Sequence, residues 1–418
     1  MFNSSRNNLV TLHSAYLAWA ILSVFYVYQY IMRASLGSMI DDLRRDFALN
    51  ATEFSTLGAY SLTAYSLLQI PLGILVDRIG VKKLVLWSIF CCTCGCIVFA
   101  MANGLPMAQV GRILIGAGSA CAFMCALKTV SDNFPHGKRG FLMGITLTLG
   151  SLGALANGHY TAIFVEEIGW RQVYLSLSYI GLGIFIAMFL ASYKFREIKN
   201  PNIDLSIKSV LKTIKSSLSQ KYVIVYAILA LGLYTPFSVM ADLWAPAFLQ
   251  QKYNLGLNAS AISSTMFLGL AVGSLLLPWL CEKYNLLNIG IKVCCCSIFI
   301  ILCLILYSEG LSLNMLLILL FSLGFFCGAE MMCFTGALRS ANVNNSGEII
   351  GFVNTLNMLG GAFLQYSIGF ILDYLWYGNV TSDGMRIYSA NDYMIALSTL
   401  SVIVGFCFLL SFLLREKV

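Results

Sequence analysis

The sequence predicts an all-α membrane protein in which twelve transmembrane helices are arranged as two six-helix halves. Apolar residues make up 59% of the 418 residues and charged residues only 11%, whereas ordinary soluble domains are about 25% charged. Each apolar run of about 20 residues is long enough to cross a bilayer and must be helical, because lipid offers its backbone amides no other partner. Such runs occur near 14–40, 54–76, 84–103, 107–129, 140–165, 172–194, 222–249, 258–280, 286–307, 311–337, 349–376 and 391–414.

One long polar connector, between the sixth and seventh runs, divides the chain and carries seven Lys or Arg against two acids. It predicts an N-terminal six-helix bundle over 1–195, a basic linker over 196–221 and a C-terminal six-helix bundle over 222–418. If the N-terminus is cytoplasmic, 17 basic residues lie in cytoplasmic connections and termini and 5 lie on the other side. The positive-inside rule therefore predicts that the linker and both termini are cytoplasmic.

The net charge of +7 does not indicate a nucleic-acid partner, because the basic residues are spread over short connections between apolar runs. The 14 cysteines lie within or beside apolar runs, which is typical of small buried thiols that pack helices. We find no nucleophile with a base, no phosphate loop and no metal cluster in the runs, so we expect no enzyme, no cofactor and no metal site. A signal peptide is not evident, which favours a bacterial inner (cell) membrane.

The connector between the second and third runs reads GILVDRIGVKK at residues 73–83. Its glycines permit a tight turn, and its cations favour the cytoplasm. The stretch resembles the signature loop of the major facilitator superfamily, GxLxDRxGxKK in form, at every defining position. In the fourth run RILIGAGSA, residues 112–120, is similar to the superfamily's RxxxGxG pattern, and Gly116 and Gly118 permit close packing of helices. The resemblance implies the major facilitator fold and a gating loop formed by Gly73, Asp77, Arg78, Gly80 and Lys82.

The first run contains Arg33, and a charged side chain in a bilayer costs about 3 kcal/mol or more, so it marks a candidate functional site. Tyr26, Tyr30 and Arg33 share one helix face. QYIMRASL, residues 29–36, resembles the first-span sequence of the organic anion symporter branch, which implies that the arginine meets an anionic substrate. Arg112 falls where that branch has its fourth-span arginine.

Two departures from that branch concern proton coupling. The acid before the first arginine is Met32 here, and the glutamate after the second is Ser119. Both arginines are then expected to lack their usual acidic partners, which strengthens the case for an anionic ligand and weakens the case for the usual coupling. The segment 347–373 also resembles phagosomal nutrient transporters of intracellular bacteria.

Other polar residues within the runs are candidates for the substrate pathway, with ordinary interhelical hydrogen bonds as the alternative. The substrate-binding candidates besides the two arginines are Tyr26, Tyr30, Tyr65, Gln69, Ser119, Tyr234, Asn354, Asn357 and Gln365. Glu330 and Asp242 are candidate coupling groups, because an acid in low dielectric exchanges protons near neutrality. Pro236 and Pro246 should interrupt the seventh helix near Asp242, although Asp242 could also lie hydrated at the outer end of its span.

These observations predict a monomeric secondary active or facilitative transporter. It would bind a small organic solute with a carboxylate or phosphate group, such as an organic anion, an amino acid or a peptide, between its halves and move it by alternating access. The lipid bilayer is the surrounding partner, and protons are an open choice of coupling ion. The alternatives are an exporter of a siderophore or drug and a non-transporting receptor with a carrier fold.

Overall fold

A computed structural model describes residues 2–192, 207–256, 258–341, 346–382 and 384–414. In this part of the chain twelve helical segments are long and apolar enough to cross a membrane, so the predicted number of spans is confirmed. They are called span one to span twelve below. The connections between them alternate between two faces of the molecule. We call the face that carries the helix Ile207–Leu218 the linker face and the other the opposite face.

Most spans consist of one uninterrupted helix. Span two begins with a capping box, in which the Asn50 side chain accepts from the Glu53 amide and Glu53 accepts from the Asn50 amide. Spans five and six lie in one helical stretch that is broken at Gly169, where φ is 80°. The bounds of these helices are Ala51–Ile79, Val81–Ala100, His136–Ser192, Asn258–Lys283, Leu287–Tyr307, Ser346–Leu375 and Ala390–Ser411.

Spans one, four, seven and ten are interrupted, and they are the first span in each group of three. Span one changes to a 3₁₀ turn at Ser35–Met39, and span seven contains a wide π turn at Met240–Trp244. The interruption between Pro236 and Pro246 confirms the prediction for span seven. The helical segments of the four spans are Phe2–Ala34 and Ile40–Asp46, Leu105–Ser119 and Ala122–Asn133, Lys221–Val239 and Ala245–Tyr253, and Leu313–Cys327 and Glu330–Ser340.

Close backbone contacts hold each half together. A Cβ added at Gly116 of span four would lie 2.1 Å from the carbonyl oxygen of Ser61 in span two. In the second half, a Cβ at Gly324 of span ten would lie 2.0 Å from the carbonyl oxygen of Met266 in span eight. Only glycine permits such approach. These two contacts, which we call the glycine seams, join equivalent pairs of spans.

The two halves meet along spans two and eleven and along spans five and eight. Polar side chains join spans two and eleven, where Asn354 donates to Gln69 at 3.0 Å and Thr355 donates to the Ser66 carbonyl at 3.3 Å. Backbone groups of spans one and seven also approach each other, since a Cβ at Gly37 would lie 3.1 Å from the Leu243 carbonyl. The interface therefore surrounds the middle of spans one and seven.

Candidate functional site

Three ionisable residues of the interior, Arg33, Asp242 and Glu330, lie at or beside the helix interruptions. Arg33 is in the last turn of the first helix of span one, where the helix C-terminus favours a cation. Asp242 lies within the π turn of span seven, and Glu330 begins the second helix of span ten. The interruptions thus bring these side chains to the interface between the halves or close to it.

Arg33 and Asp242 form a salt bridge between the halves. Both Nε and Nη2 of Arg33 donate to Oδ2 of Asp242, at 2.7 and 2.5 Å, and Nη2 also donates to the Tyr234 hydroxyl. The side chains are 13% and 3% exposed. The rings of Tyr30 and Tyr234 lie 5.8 and 5.5 Å from the guanidinium carbon, so the cation is surrounded by aromatic faces and one carboxylate.

This pairing corrects two expectations from the sequence. Arg33 was expected to lack an acidic partner because Met32 replaces the usual acid, but Asp242 of the other half supplies one. The alternative that Asp242 is hydrated at the outer end of span seven is also wrong, because the side chain is buried in the π turn. The acid lies on another span, 209 residues along the chain.

Arg112 has a different environment. It donates to the backbone carbonyls of Leu57 and Met32, both at 3.0 Å, and to the Tyr174 hydroxyl at 3.1 Å. These acceptors belong to spans one, two and six of its own half, and Arg112 is 1% exposed. Arg112 therefore ties three spans together, and its charge is neutralised by dipoles rather than by an acid.

A cavity lies between the halves beside the salt bridge. Residues of spans one, two, four, seven and eleven line it, and its free space of about 20 Å³ for water centres admits about one water molecule. A larger solute can enter only when the halves separate. The predicted site residues that line the cavity are Arg33, Tyr65, Arg112, Ser119, Asp242 and Gln365.

Sequence reasoning missed part of the cavity wall. Gln29 and Gly58 line it without having been singled out as binding candidates, and Ser61, which forms a polar strip with Tyr65 and Gln69 in span two, lines it as well. Their signal was the period of the helix, since Ser61 and Tyr65 are four residues apart and Gln29 and Arg33 likewise. Two buried acceptors of the wall, Oε1 of Gln365 and Oδ1 of Asp242, have no hydrogen-bond partner. Such atoms favour a ligand that brings donors.

Glu330 and Asn357 form a second buried pair, away from the cavity lining. Asn357 Nδ2 and Glu330 Oε2 are 2.5 Å apart, the two residues are 0% and 5% exposed, and Asn357 Oδ1 has no partner. Among the described residues no cation forms a salt bridge with Glu330, and its hydrogen-bond partner is the neutral amide of Asn357.

The remaining predicted residues surround this centre. The Tyr26 hydroxyl donates to that of Tyr30 at 3.4 Å, and both tyrosines are buried. Gln69 donates to the Ala120 carbonyl at the interruption of span four, at 2.9 Å, and accepts from Asn354. Gln69 and Asn354 thus form an interhelical bridge, which was the alternative interpretation for such residues.

The predicted gating loop forms the tight turn between spans two and three on the linker face. Gly80 has a φ of 88°, a conformation that favours glycine. Arg78 is exposed and Gly73 lies against Met124 of span four. The side chain of Asp77 lies outside the described residues. A gating role for the loop stays a prediction.

The fold and the centrally placed salt bridge define a membrane carrier built from two six-helix halves. A model of the Major Facilitator Superfamily matches residues 16–364. The chain belongs to the major facilitator superfamily, and the predicted resemblance, fold and transporter function are confirmed.

Two relatives and one solved structure illustrate the similarity. The chain is 24% identical over 387 residues to the probable L-galactonate transporter of Escherichia coli (strain K12), covering 85% of this chain and 83% of the relative. It is 22% identical over 429 residues to the probable galactarate/D-glucarate transporter of the same organism, covering 93% of each. A bacterial homologue of the human lysosomal transporter Spinster, in its inward-facing and unoccupied conformation, matches with a TM-score of 0.76 at 12% identity, covering 96% of both chains.

Proposed function

We propose that this protein carries a small hydroxylated organic anion across the membrane by alternating access, with Arg33 as the residue that binds the anionic group. The observation that carries the proposal is the position of Arg33, which lines a small cavity at the meeting point of the halves. A planar guanidinium stays charged and binds a carboxylate through two parallel hydrogen bonds. A carboxylate arriving from solution can take the place of the Asp242 carboxylate on the same donors.

Two further features support an anion that carries hydroxyl groups. The unpartnered acceptors Gln365 Oε1 and Asp242 Oδ1 beside the cavity would be satisfied by ligand hydroxyls. Relatives that match most of this chain are named for L-galactonate and for galactarate/D-glucarate, which are hydroxylated acids. Tyr26, Tyr30, Tyr65, Gln69, Ser119, Tyr234, Asn354 and Asn357 would shape and support the site, with Arg112 positioning spans one and two.

Asp242 is the proposed coupling group. The Asp242 side chain is 3% exposed in its pair with Arg33, so an anion that displaces it would leave a carboxylate in a buried site without its counter-charge. An unpaired buried charge is costly, so the displaced group takes a proton. One proton would then accompany each anion. A zwitterionic amino acid is the second candidate, because its ammonium group could pair with Asp242 and its carboxylate with Arg33 without any proton.

Glu330 is the other candidate coupling group. A carboxylate with only an amide neighbour in an apolar core is costly, whereas a protonated one is not. Rotating the Asn357 amide by 180° would bring its unpartnered Oδ1 to the Glu330 oxygen and let a protonated Glu330 donate to it. Glu330 would therefore be neutral when the cavity is closed.

The proposed setting is a bacterial inner membrane with the linker face in the cytoplasm, supported by the distribution of 17 against 5 basic residues. The chain would act as a monomer and would not alter its solute chemically. An exporter of a siderophore or drug would need a larger and more apolar cavity than one lined by Gln29, Ser61 and Gln365. A receptor would bind solute without flux.

The test is a counterflow assay in proteoliposomes with labelled L-galactonate, D-glucarate, short peptides and amino acids. We expect flux of the hydroxylated acids and an increase when the outside is acidified. Arg33→Lys keeps the charge but loses the planar guanidinium that donates two parallel hydrogen bonds. Flux should therefore fall about tenfold or more, which corresponds to the free energy of one charged hydrogen bond. Arg33→Ala should abolish it.

A matched control is Arg171→Lys, because Arg171 also pairs with an aspartate, Asp46, but at the opposite face. This variant should transport normally. Normal transport by both Arg33 variants would refute the anion-binding role. Thermal shifts without flux in the wild type would favour the receptor, and flux of amino acids alone without a pH effect would favour the zwitterion.

A further inference from the structure

We propose that Asp373, at the end of span eleven, is the residue that closes the transporter at the opposite face. It does so by binding the N-terminus of span two in the other half. The closing contact, which we call the Asp373 latch, consists of Ala51, Thr52, Asp373, Arg386 and Tyr388. It is separate from the Arg33–Asp242 pair and contains none of the residues assigned to the solute.

The first part of the latch is a cap across the two halves. Asp373 Oδ2 accepts from the Thr52 amide at 2.7 Å and from the Thr52 hydroxyl at 2.5 Å. Asp373 Oδ1 accepts from the Ala51 amide at 3.3 Å. A helix N-terminus has free amides and a partial positive charge, so a carboxylate there is stabilising.

Asp373 completes a cap that the local sequence leaves unfinished. The Asn50 side chain already accepts from the Glu53 amide within span two. The Ala51 and Thr52 amides donate to acceptors in the other half. Both donate to Asp373, and the Ala51 amide also donates to the Tyr388 hydroxyl at 3.0 Å. Separating the halves at this face therefore exposes two helix amides and a carboxylate together.

The connection between spans eleven and twelve holds Asp373 in place. Arg386 donates to Asp373 Oδ1 at 3.1 Å and the Tyr388 hydroxyl donates to the same oxygen at 2.5 Å. Burial and the nearby carboxylate raise the pKa of Tyr388, so its hydroxyl remains a donor. From the other half, Arg44 donates to the Arg386 carbonyl at 2.7 Å, and its guanidinium carbon lies 5.0 Å from the centre of the Tyr388 ring.

The latch has the properties of a closing contact rather than of a fixed joint. Its residues come from span two on one side and from span eleven and the following connection on the other, and Arg44 of span one contacts that connection. It lies at one end of the interface, where alternating access requires the halves to separate. Its hydrogen bonds can be replaced by water once the halves part, whereas the glycine seams lie within each half.

The test is hydrogen–deuterium exchange of the purified full-length protein, which needs no solute. Asp373→Asn keeps the size of the side chain but removes its charge and places an amide group against the Thr52 donors. We expect amide exchange to become about tenfold faster or more, the worth of one charged hydrogen bond. The decisive peptides cover Ser35–Met39 of span one and Met240–Trp244 of span seven. These two segments meet at the interface between the halves, and neither contains a residue of the Asp373 latch.

Asp392→Asn is the matched control, because Asp392 caps span twelve at the same face through Ser389 of its own half. It should leave exchange in those two segments unchanged. Thr52→Val removes the hydroxyl donor alone and should give a smaller increase than Asp373→Asn. Faster exchange confined to residues 51–55 would show that Asp373 is only a local cap and would overturn the proposal. An equal increase with Asp392→Asn would overturn it as well.

Discussion

The salt bridge between Arg33 and Asp242 predicts that anion binding becomes tighter as the pH falls. Asp242 must leave the two Arg33 donors for the anion to reach them, and its side chain is 3% exposed while it is paired with Arg33. Leaving one member of a buried pair charged and unpaired costs about 3–5 kcal/mol. If the binding step takes up one proton instead, affinity changes about tenfold per pH unit, or about 1.4 kcal/mol. Between pH 6 and 8 this is about a hundredfold.

Asp242→Asn removes both the competing carboxylate and the proton acceptor. Affinity should then be independent of pH and, near pH 8, higher than that of the wild type. The unliganded variant should be less stable because Arg33 has lost its counter-charge, so the thermal shift on binding should be larger. Calorimetric titration with L-galactonate and D-glucarate, in buffers of different ionisation enthalpy, counts the protons directly.

Asp46→Asn is the control for this prediction, since Asp46 also forms a salt bridge with an arginine but lies away from the cavity. It should keep the pH slope of the wild type. Anion binding to the wild type without proton uptake would refute the reasoning, and so would an unchanged slope in Asp242→Asn.

Two further substitutions test the interior. Gly116→Ala should lower stability by about 1–3 kcal/mol, because the new methyl group would lie 2.1 Å from the Ser61 carbonyl oxygen. Gly183→Ala is the control and should be neutral, because nothing lies within 4 Å of the added methyl group. Thermal unfolding compares the two variants, and equal midpoints would contradict the packing argument. Glu330→Gln should retain anion binding and thermal stability because glutamine resembles a protonated glutamate, and loss of either would show that Glu330 carries a charge when the cavity is closed.

The spans were predictable because their signals are local. Hydropathy alone located twelve segments, and the pattern around Gly80 and Gly116 indicated a tight turn and a close helix contact that the structure contains. The two prolines of span seven likewise marked its interruption. Each of these features depends on residues that are neighbours in sequence.

The pairings within the site were not predictable from one sequence. Arg33 and Asp242 are 209 residues apart. The absence of an acid next to Arg33 in the sequence therefore could not reveal that the C-terminal half supplies an acidic partner. Arg112 appeared equivalent to Arg33 because both are cations within spans, yet its acceptors are mostly backbone carbonyls, which leave no trace in residue types. Asp373 was overlooked because two of its partners in the other half are the backbone amides of Ala51 and Thr52.

The glycine seams decide where this transporter can bend. Backbones in direct contact cannot slide past each other without a clash, so spans two and four, and equally spans eight and ten, travel as stiff units. Movement during a transport cycle is thereby concentrated at the boundary between the halves, where polar side chains join spans two and eleven. A covalent crosslink across either seam should leave transport intact, whereas one from span two to span eleven should arrest it.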